Sequence, residues 1–271
     1  MRSKNTITFL GTGGGRYVIL SQRRYSGGLW LEFNDINISL DPGPGALVRS
    51  LQFHKDAAKL DAVVISHEHL DHYNDAEVMI EGMTHGMNKS RGVLVAQEGT
   101  LDYISDYHKS KVEVIIPEIN KQFKIKDKND KGEIYVEPIP TFNHPGVGFK
   151  FFTGSGIVTY TADTAFSEEL LENYKDSKIL ILNVIFPKDR QIKTHLNTGS
   201  AMEIVRAVKP ELAIIQHFGY QMLNSNPQMQ ARYIEQGSGV RTIAAEDGMV
   251  IDVGVAGVAG KGEGQLRLGG F

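Results

Sequence analysis

The chain contains no cysteine. Disulfides and thiolate chemistry are therefore excluded, and any metal must be held by nitrogen and oxygen. No apolar run approaches the roughly 20 residues that span a bilayer, so no membrane partner is expected. Net charge is small as well: 29 Lys and Arg stand against 32 Asp and Glu, leaving −3. With a sequence pI near 6.3, a broad basic surface for nucleic acid is not expected, although one local basic patch is compatible with it. Met1-Arg2-Ser3-Lys4-Asn5 leads straight into a strand-like stretch. It lacks the apolar segment and cleavage site of a secretory signal, so the expected location is the cytoplasm.

The 271 residues can bury a substantial core. We read 1–271 as one domain, ending in a glycine-rich tail from about residue 254. The 29 glycines suggest tight turns and a loop-rich site. Apolar runs bounded by turn residues predict strands at Thr6–Leu10, Leu29–Phe33, Ile36–Leu40, Asp61–Ser66, Val93–Ala96, Val112–Ile116 and Phe123–Lys126. Further strands are predicted at Ile134–Pro138, Val147–Phe152, Ile157–Thr161, Ile179–Leu182, Leu212–Gln216 and Met249–Val253. Helices are predicted at Ala46–Phe53, Asp75–His85, Ser167–Tyr174 and Thr198–Val208, the last capped from within Thr198-Gly199-Ser200-Ala201. Strands come first in both halves and helices fall between later strands. That fits a layered α/β or α+β domain with mixed sheets. Lys121–Lys131 reads as a solvated hairpin.

The segment Ser66-His67-Glu68-His69-Leu70-Asp71-His72 places three of the nine histidines and one aspartate within six positions. A chance H-x-H-x-D-H is on the order of one in a thousand or less. Alternate residues of extended backbone point the same way, so His67 and His69 can share one metal. Asp71 and His72 follow once the chain has begun to turn, and can face a second. One segment cannot close two sites. His144 in a turn, and Asp163 and His217 at strand ends, are the candidates to complete them. Imidazole and carboxylate suit zinc, and also manganese or iron.

These residues resemble the metallo-β-lactamase-fold hydrolases. The likeness runs from Phe9-Leu10-Gly11-Thr12-Gly13 through Asp41-Pro42-Gly43 to H-x-H-x-D-H, His144, Asp163 and His217. It implies a four-layer αββα sandwich with two divalent ions, of which zinc is the expected identity, at one edge. By the resemblance His67, His69 and His144 hold the first ion, and Asp71, His72 and His217 the second. Asp163 bridges them, and Asp41 supports the metal loop without ligating. Within the fold the chain looks most like the ribonuclease Z group and its smaller cyclic-nucleotide and ribosyl phosphodiesterase relatives. His69 is histidine where flavo-diiron proteins carry Glu. His195-Leu196-Asn197-Thr198 sits where the group carries a His-x-Thr motif facing the scissile phosphate, with the two residues after His195 departing from the usual Ser-Thr. Eighteen residues separate His144 from Asp163, which leaves no room for a tRNA-clamping arm and favours a smaller substrate over RNA.

The expected reaction is phosphodiester hydrolysis by metal-activated water, with Asp71 accepting a proton and His195 stabilising phosphate charge or protonating the leaving oxygen. Two other readings keep the same residues: a lactone or thioester hydrolase, and a non-catalytic metal-binding sensor. A homodimer is compatible with the resemblance. Pro187–Lys193 and the first-loop Arg16, Arg23 and Arg24 read either as anion-attracting groups or as exposed loops. Met79, Met83 and Met87, with His85, read as helix core or as a pocket lining. Gly11–Gly15 lacks the Gly-Lys-Ser/Thr that follows in a P-loop and reads as a tight turn near the site.

Overall fold

Two predicted strands, Val93–Ala96 and Ile179–Leu182, are apolar at every position, which a sheet tolerates only when both faces are covered. The computed structural model, in which residues 5–127, 132–188, 190 and 192–262 are described, meets that demand with four layers. Its strands are β1 (Thr6–Phe9), β2 (Leu29–Phe33), β3 (Ile36–Leu40), β4 (Ala62–Val64), β5 (Val93–Val95), β6 (Glu113–Ile115), β7 (Phe123–Lys126) and β8 (Glu133–Pro140). They continue as β9 (Val147–Thr153), β10 (Gly156–Tyr160), β11 (Ser177–Phe186), β12 (Leu196–Asn197), β13 (Leu212–Gln216), β14 (Thr242–Ala244), β15 (Met249–Asp252) and β16 (Gly257–Lys261). The helices are α1 (Arg16–Ser21), α2 (Ala46–Gln52), α3 (Leu70–Tyr73), α4 (Ala76–Met83), α5 (Glu98–Leu101), α6 (Asp106–Lys109), α7 (Leu171–Tyr174), α8 (Thr198–Val208), α9 (Tyr220–Asn224) and α10 (Pro227–Ser238).

One sheet runs β16-β15-β1-β2-β3-β4-β5-β6, the other β14-β13-β11-β10-β9-β8-β7, with β12 beside β11. Alternation assigns each strand to two cores. Leu29, Leu31 and Phe33 enter the core between the sheets, while Trp30 packs outward under α2 and α4. Ile179 and Ile181 face inward to the same central core; Leu180 and Leu182 face the layer of α7, α8 and α10. This is the αββα sandwich expected. Parallel register aligns the C-terminal ends of β10, β11 and β13, pairing Tyr160 with Ile181 and Ile181 with Ile214. Asp163, Asn183 and His217 thereby emerge side by side. The first sheet brings the end of β4 to the same edge, where Val147 N donates to the Ser66 carbonyl at 3.0 Å.

Several expectations need correction. The predicted helix at Ser167–Tyr174 is a 3₁₀ turn followed by one α turn, because Ser167 Oγ caps Glu169 N and tightens the start. The cap of α8 is Asn197, one residue earlier than expected, in a reciprocal box with Ser200. The glycine-rich tail is partly ordered, since β16 pairs antiparallel with β15. Residues 263–271, together with 1–4, 128–131, Asp189 and Gln191 of the sequence predictions, lie outside the described residues. Met79, Met83 and Met87 are buried core of the α2–α4 layer.

Candidate metal centre

Each candidate ligand projects from the end of a rigid strand or from the turn just after one. β4 ends at Val64, and the chain bends at Ser66 and Glu68 before an extended His69 leads into α3, which carries Asp71 and His72. His144 occupies the β8–β9 connection, and Asp163 and His217 follow β10 and β13. His217 and Asp41 hold positive φ angles of 61° and 52°, conformations that surrounding structure must enforce. Two glycines explain how the loops close on the histidines. A Cβ on Gly14 would lie 2.3 Å from the His217 ring, and one on Gly146, at φ 110°, would lie 2.6 Å from His67 Cβ.

The structure brings all seven sequence candidates together in two groups. His67, His69, His144 and Asp163 form one; Asp71, His72 and His217 form the other; within each, one donor atom per residue lies within 4.8 Å of the rest. His67 Nε2 is 3.0 Å from His69 Nδ1, and His72 Nε2 is 3.1 Å from His217 Nε2. Asp163 links the groups: Oδ2 is 3.9 Å from His144 Nε2 and 3.7 Å from His72 Nε2, and Oδ1 is 3.4 Å from His217 Nδ1. His195 reaches the same carboxylate, with Nε2 3.3 Å from Asp163 Oδ2, and is one-fifth exposed at the rim.

A surrounding network sets the tautomers. Asp41 Oδ1 accepts from Ser66 N at 2.6 Å, and Oδ2 accepts from Ser66 Oγ, His72 Nδ1 and Tyr160 Oη at 2.7, 2.8 and 2.7 Å. Because the Ser66 hydroxyl hydrogen is committed to Asp41, its oxygen accepts from His67 Nδ1 at 2.9 Å. His144 Nδ1 donates to the Pro145 carbonyl at 2.8 Å. In the rings of His67 and His144 Nε2 is left as the lone-pair nitrogen, and His72 Nε2 faces the cluster with them. Asp71 Oδ2 accepts from Gly15 N at 2.7 Å and from His217 Nε2 at 3.2 Å.

Charge follows from this geometry. Burial holds His67 and His69 below the usual imidazole range, with neighbouring histidines adding to it. Burial also takes His144 down to about 4. His72 goes the other way: burial opposes its charge, but Asp41 and Asp163 outweigh that and raise it well above the usual value. Burial would raise Asp163, yet His217 and His72 hold it well below the usual carboxylate range. Asp71 is likewise lowered, its desolvation outweighed by the bond from His217 and by His72.

The donor set fits divalent ions. His144 Nε2 and His217 Nδ1 are buried without a hydrogen-bond partner, a cost that a bound cation would remove. Ring nitrogens meeting at 3.0 Å are likewise better served by a shared cation than by one another. The network adds residues that the sequence reading missed. Asn183 Nδ2 donates to Asp163 Oδ1 at 2.8 Å and to Tyr160 Oη at 3.0 Å, while Gln216 Nε2 donates to Asn183 Oδ1 at 2.9 Å. A lone amide in the apolar run of β11 was the available signal.

Two cavities meet at His195. One of 620 Å³ is lined by Phe142, Lys188, Lys193, His195, Asn197 and Ser200, among others. Lys188 and Lys193 of the cationic segment thus share a cavity with His195. The other, of 540 Å³, contains His69, Asp71, Asp163, His195 and His217, with Arg16 on its wall. Arg23 and Arg24 lie apart, around a third cavity with Asn224 and Gln228. His108 sits between Glu77 and Glu81, away from the cluster.

Residues 36–218 match the model of the beta-lactamase superfamily domain. An uncharacterized protein of Methanocaldococcus jannaschii, MJ1374, is 35% identical over 261 residues, covering 91% of this chain and 94% of that protein. The metallo-beta-lactamase fold protein YhfI from Bacillus subtilis superposes with a TM-score of 0.76 at 18% identity, over 91% of this chain and 98% of its own. A diphosphatase from the PhnP family does so at 0.69 and 18% identity, over 92% and 98%. The short form of human tRNase Z gives 0.70 at 14% identity, over 92% and 99%.

Proposed function

The chain belongs to the beta-lactamase superfamily, among its metallo-β-lactamase-fold hydrolases, and from that membership and the cluster geometry we propose that it hydrolyses phosphodiesters with two divalent ions. His67, His69 and His144 would hold one ion, Asp71, His72 and His217 the other, and Asp163 would serve both. Bound there, zinc or a similar ion would supply Lewis-acid polarisation of phosphoryl oxygens and acidify a water toward neutrality. The protein's own groups do the rest. Asn183 fixes the Asp163 carboxylate, and Asp41 fixes the His72 and Ser66–His67 side of the cluster. Asp71, anchored by Gly15 N, would orient the attacking water and accept its proton.

The observation that carries the phosphate reading is His195. Its Nε2 stands 3.3 Å from Asp163 at the cleft rim, and the same side chain lines the cavity holding Lys188 and Lys193. An imidazole N–H there can bind a phosphoryl oxygen or protonate the departing alkoxide, and the lysines favour an anion. The diphosphatase and the tRNase among the structural neighbours support phosphoester chemistry as the reading. Among the described residues there is no long arm between β8 and β10, which supports a small nucleotide or cyclic phosphodiester over folded RNA.

One observation favours the acyl alternative: the metal cavity has Ile19, Leu20, Leu70 and Ile185 on one wall, which would suit a lactone or thioester chain. The test is turnover by protein reconstituted with zinc or manganese on bis(p-nitrophenyl) phosphate and cyclic nucleotides, beside a lactone and thioester panel. Phosphodiester turnover that drops at least a hundredfold in His195→Ala is expected. Turnover confined to acyl substrates would move the assignment, and stoichiometric metal with no turnover at all would make the protein a metal-binding scaffold.

A further inference from the structure

The chemistry above leaves the apolar wall of the metal cavity unused. Ile19, Leu20, Leu70 and Ile185 form it, and Leu20 is shared with an adjoining cavity of 540 Å³ whose other walls are Tyr17, Ser21 and Tyr220. Tyr17 and Leu20 are 77% and 83% exposed, and Tyr220 50%. Scattered exposed apolar residues need no explanation, but a contiguous set opening into a reaction cleft does. The wall is also held in place. Val18 is buried beneath α1, and Gly15 N at its start donates to Asp71 at 2.7 Å. Arg23 lies over the Tyr220 ring at 5.1 Å and donates to Asn224 Oδ1 at 2.8 Å, which restrains the phenol.

Resting on the phosphodiester reading, we propose that this shelf seats a planar aromatic ring carried by the substrate, so that the preferred substrates are phosphoesters of aromatic groups. Two tyrosines offer ring faces and edges, which a flat π-system uses better than a flexible alkyl chain does. Arg16, on the same wall, adds a cation that a ring face attracts and an alkyl chain does not. This cavity and that of the metal cluster adjoin at Leu20, so one substrate would place its ring on the shelf and its phosphoryl group at His195. A second copy of this chain is the rival occupant of the exposed tyrosines.

Calorimetric titration of the zinc-loaded full chain with 1-naphthyl, hexyl and methyl phosphate decides the matter. The naphthyl ester is expected to bind about tenfold more tightly than the methyl ester, with hexyl near methyl, on the scale of one stacked ring. In Tyr17→Ala/Tyr220→Ala, and independently in Leu20→Ser, the naphthyl-to-hexyl ratio falls toward one; all three side chains are exposed or half-exposed, so folding is retained. Hexyl binding as tightly as naphthyl, equal affinities for all three, or a ratio preserved in the double variant would overturn the proposal. So would sedimentation showing a wild-type dimer that the double variant splits. Failure to turn over bis(p-nitrophenyl) phosphate would remove the phosphodiester reading separately, because the affinity ranking needs no hydrolysis.

Discussion

Two histidines whose rings lie 4.0 Å apart are driven in opposite directions. Burial keeps His67 neutral, while Asp41 and Asp163 keep His72 protonated above the usual imidazole value. His72 Nδ1–H is committed to Asp41, so the proton that a cation must displace is on Nε2. The sign follows: at pH 7 metal binding releases a proton from His72, and none from His67, His69 or His144, whose values are lowered. Calorimetry in buffers of different ionisation enthalpy should therefore show release of about one proton from His72 at neutral pH. Asp41→Asn should lower that number, because the charge that holds the proton is gone. Release that is unchanged in the variant would refute the assignment. At Asn183 the expectation is positional. Asn183→Leu leaves Asp163 Oδ1 without its 2.8 Å donor, and metal affinity should fall about 10–100-fold in a chelator competition, the usual cost of losing such a partner. The seven side chains that the fold brings together were legible as candidates because histidine and aspartate gather in one short motif and at strand ends. Asn183, Tyr160 and Gln216 were not, since a single polar residue in an apolar strand does not announce which carboxylate it will meet.

The loop Thr12–Gly15 shows what an element contributes that its residue types do not. It belongs to Gly11–Gly15, which was read as a tight turn near the site; the segment does lie at the site, but Gly13 forms a parallel bridge with Phe218 rather than a tight turn, and its role is steric: Gly14 lies against the His217 ring, and Gly14 N donates to the Phe218 carbonyl at 3.2 Å. Gly14→Ala would force the His217 loop outward. The second ion should then bind about tenfold more weakly or worse, since loss of a ligand's orientation costs on that scale, while His67, His69 and His144 keep the first. Metal analysis after dialysis should show the stoichiometry drop, and two ions per chain in the variant would contradict the packing argument. Other elements escaped the sequence reading for physical reasons. In α10 only Pro227, Ala231 and Ile234 are buried, so its apolar stripe is thin although Asn226 and Gly239 mark its ends. In β16 only Gly257 is buried, and pairing with β15 rests on backbone bonds rather than on side chains that favour strands.

Over the whole molecule, the cluster sits where two sheets packed on a shared apolar core come together at one edge. His67, His69, Asp71 and His72 belong to the first sheet's side, and His144, Asp163 and His217 to the second. The two-sheet sandwich was implied by the family resemblance, and most of the strands, β12, β14 and β16 excepted, were legible from apolar runs. The consequence for stability was not, because it depends on which sheet each ligand rides. An ion held by ligands from both sheets binds only the assembled sandwich, so it stabilises the native state by mass action, about 2.7 kcal/mol at a free concentration one hundred times its Kd. For a chain of this size each kcal/mol moves Tm by about 2–4 °C. Stripping the metal should then lower Tm by about 5–10 °C per tightly held ion. The control is His144→Ala with His217→Ala, which removes ligands from the second sheet alone and leaves the H-x-H-x-D-H segment whole. Chelator should shift that variant far less than wild type if cross-sheet ligation carries the stabilisation. Equal shifts in both proteins would mean that the segment of the first sheet holds the metal unaided, and a wild-type Tm indifferent to chelation would mean that no ion joins the two halves.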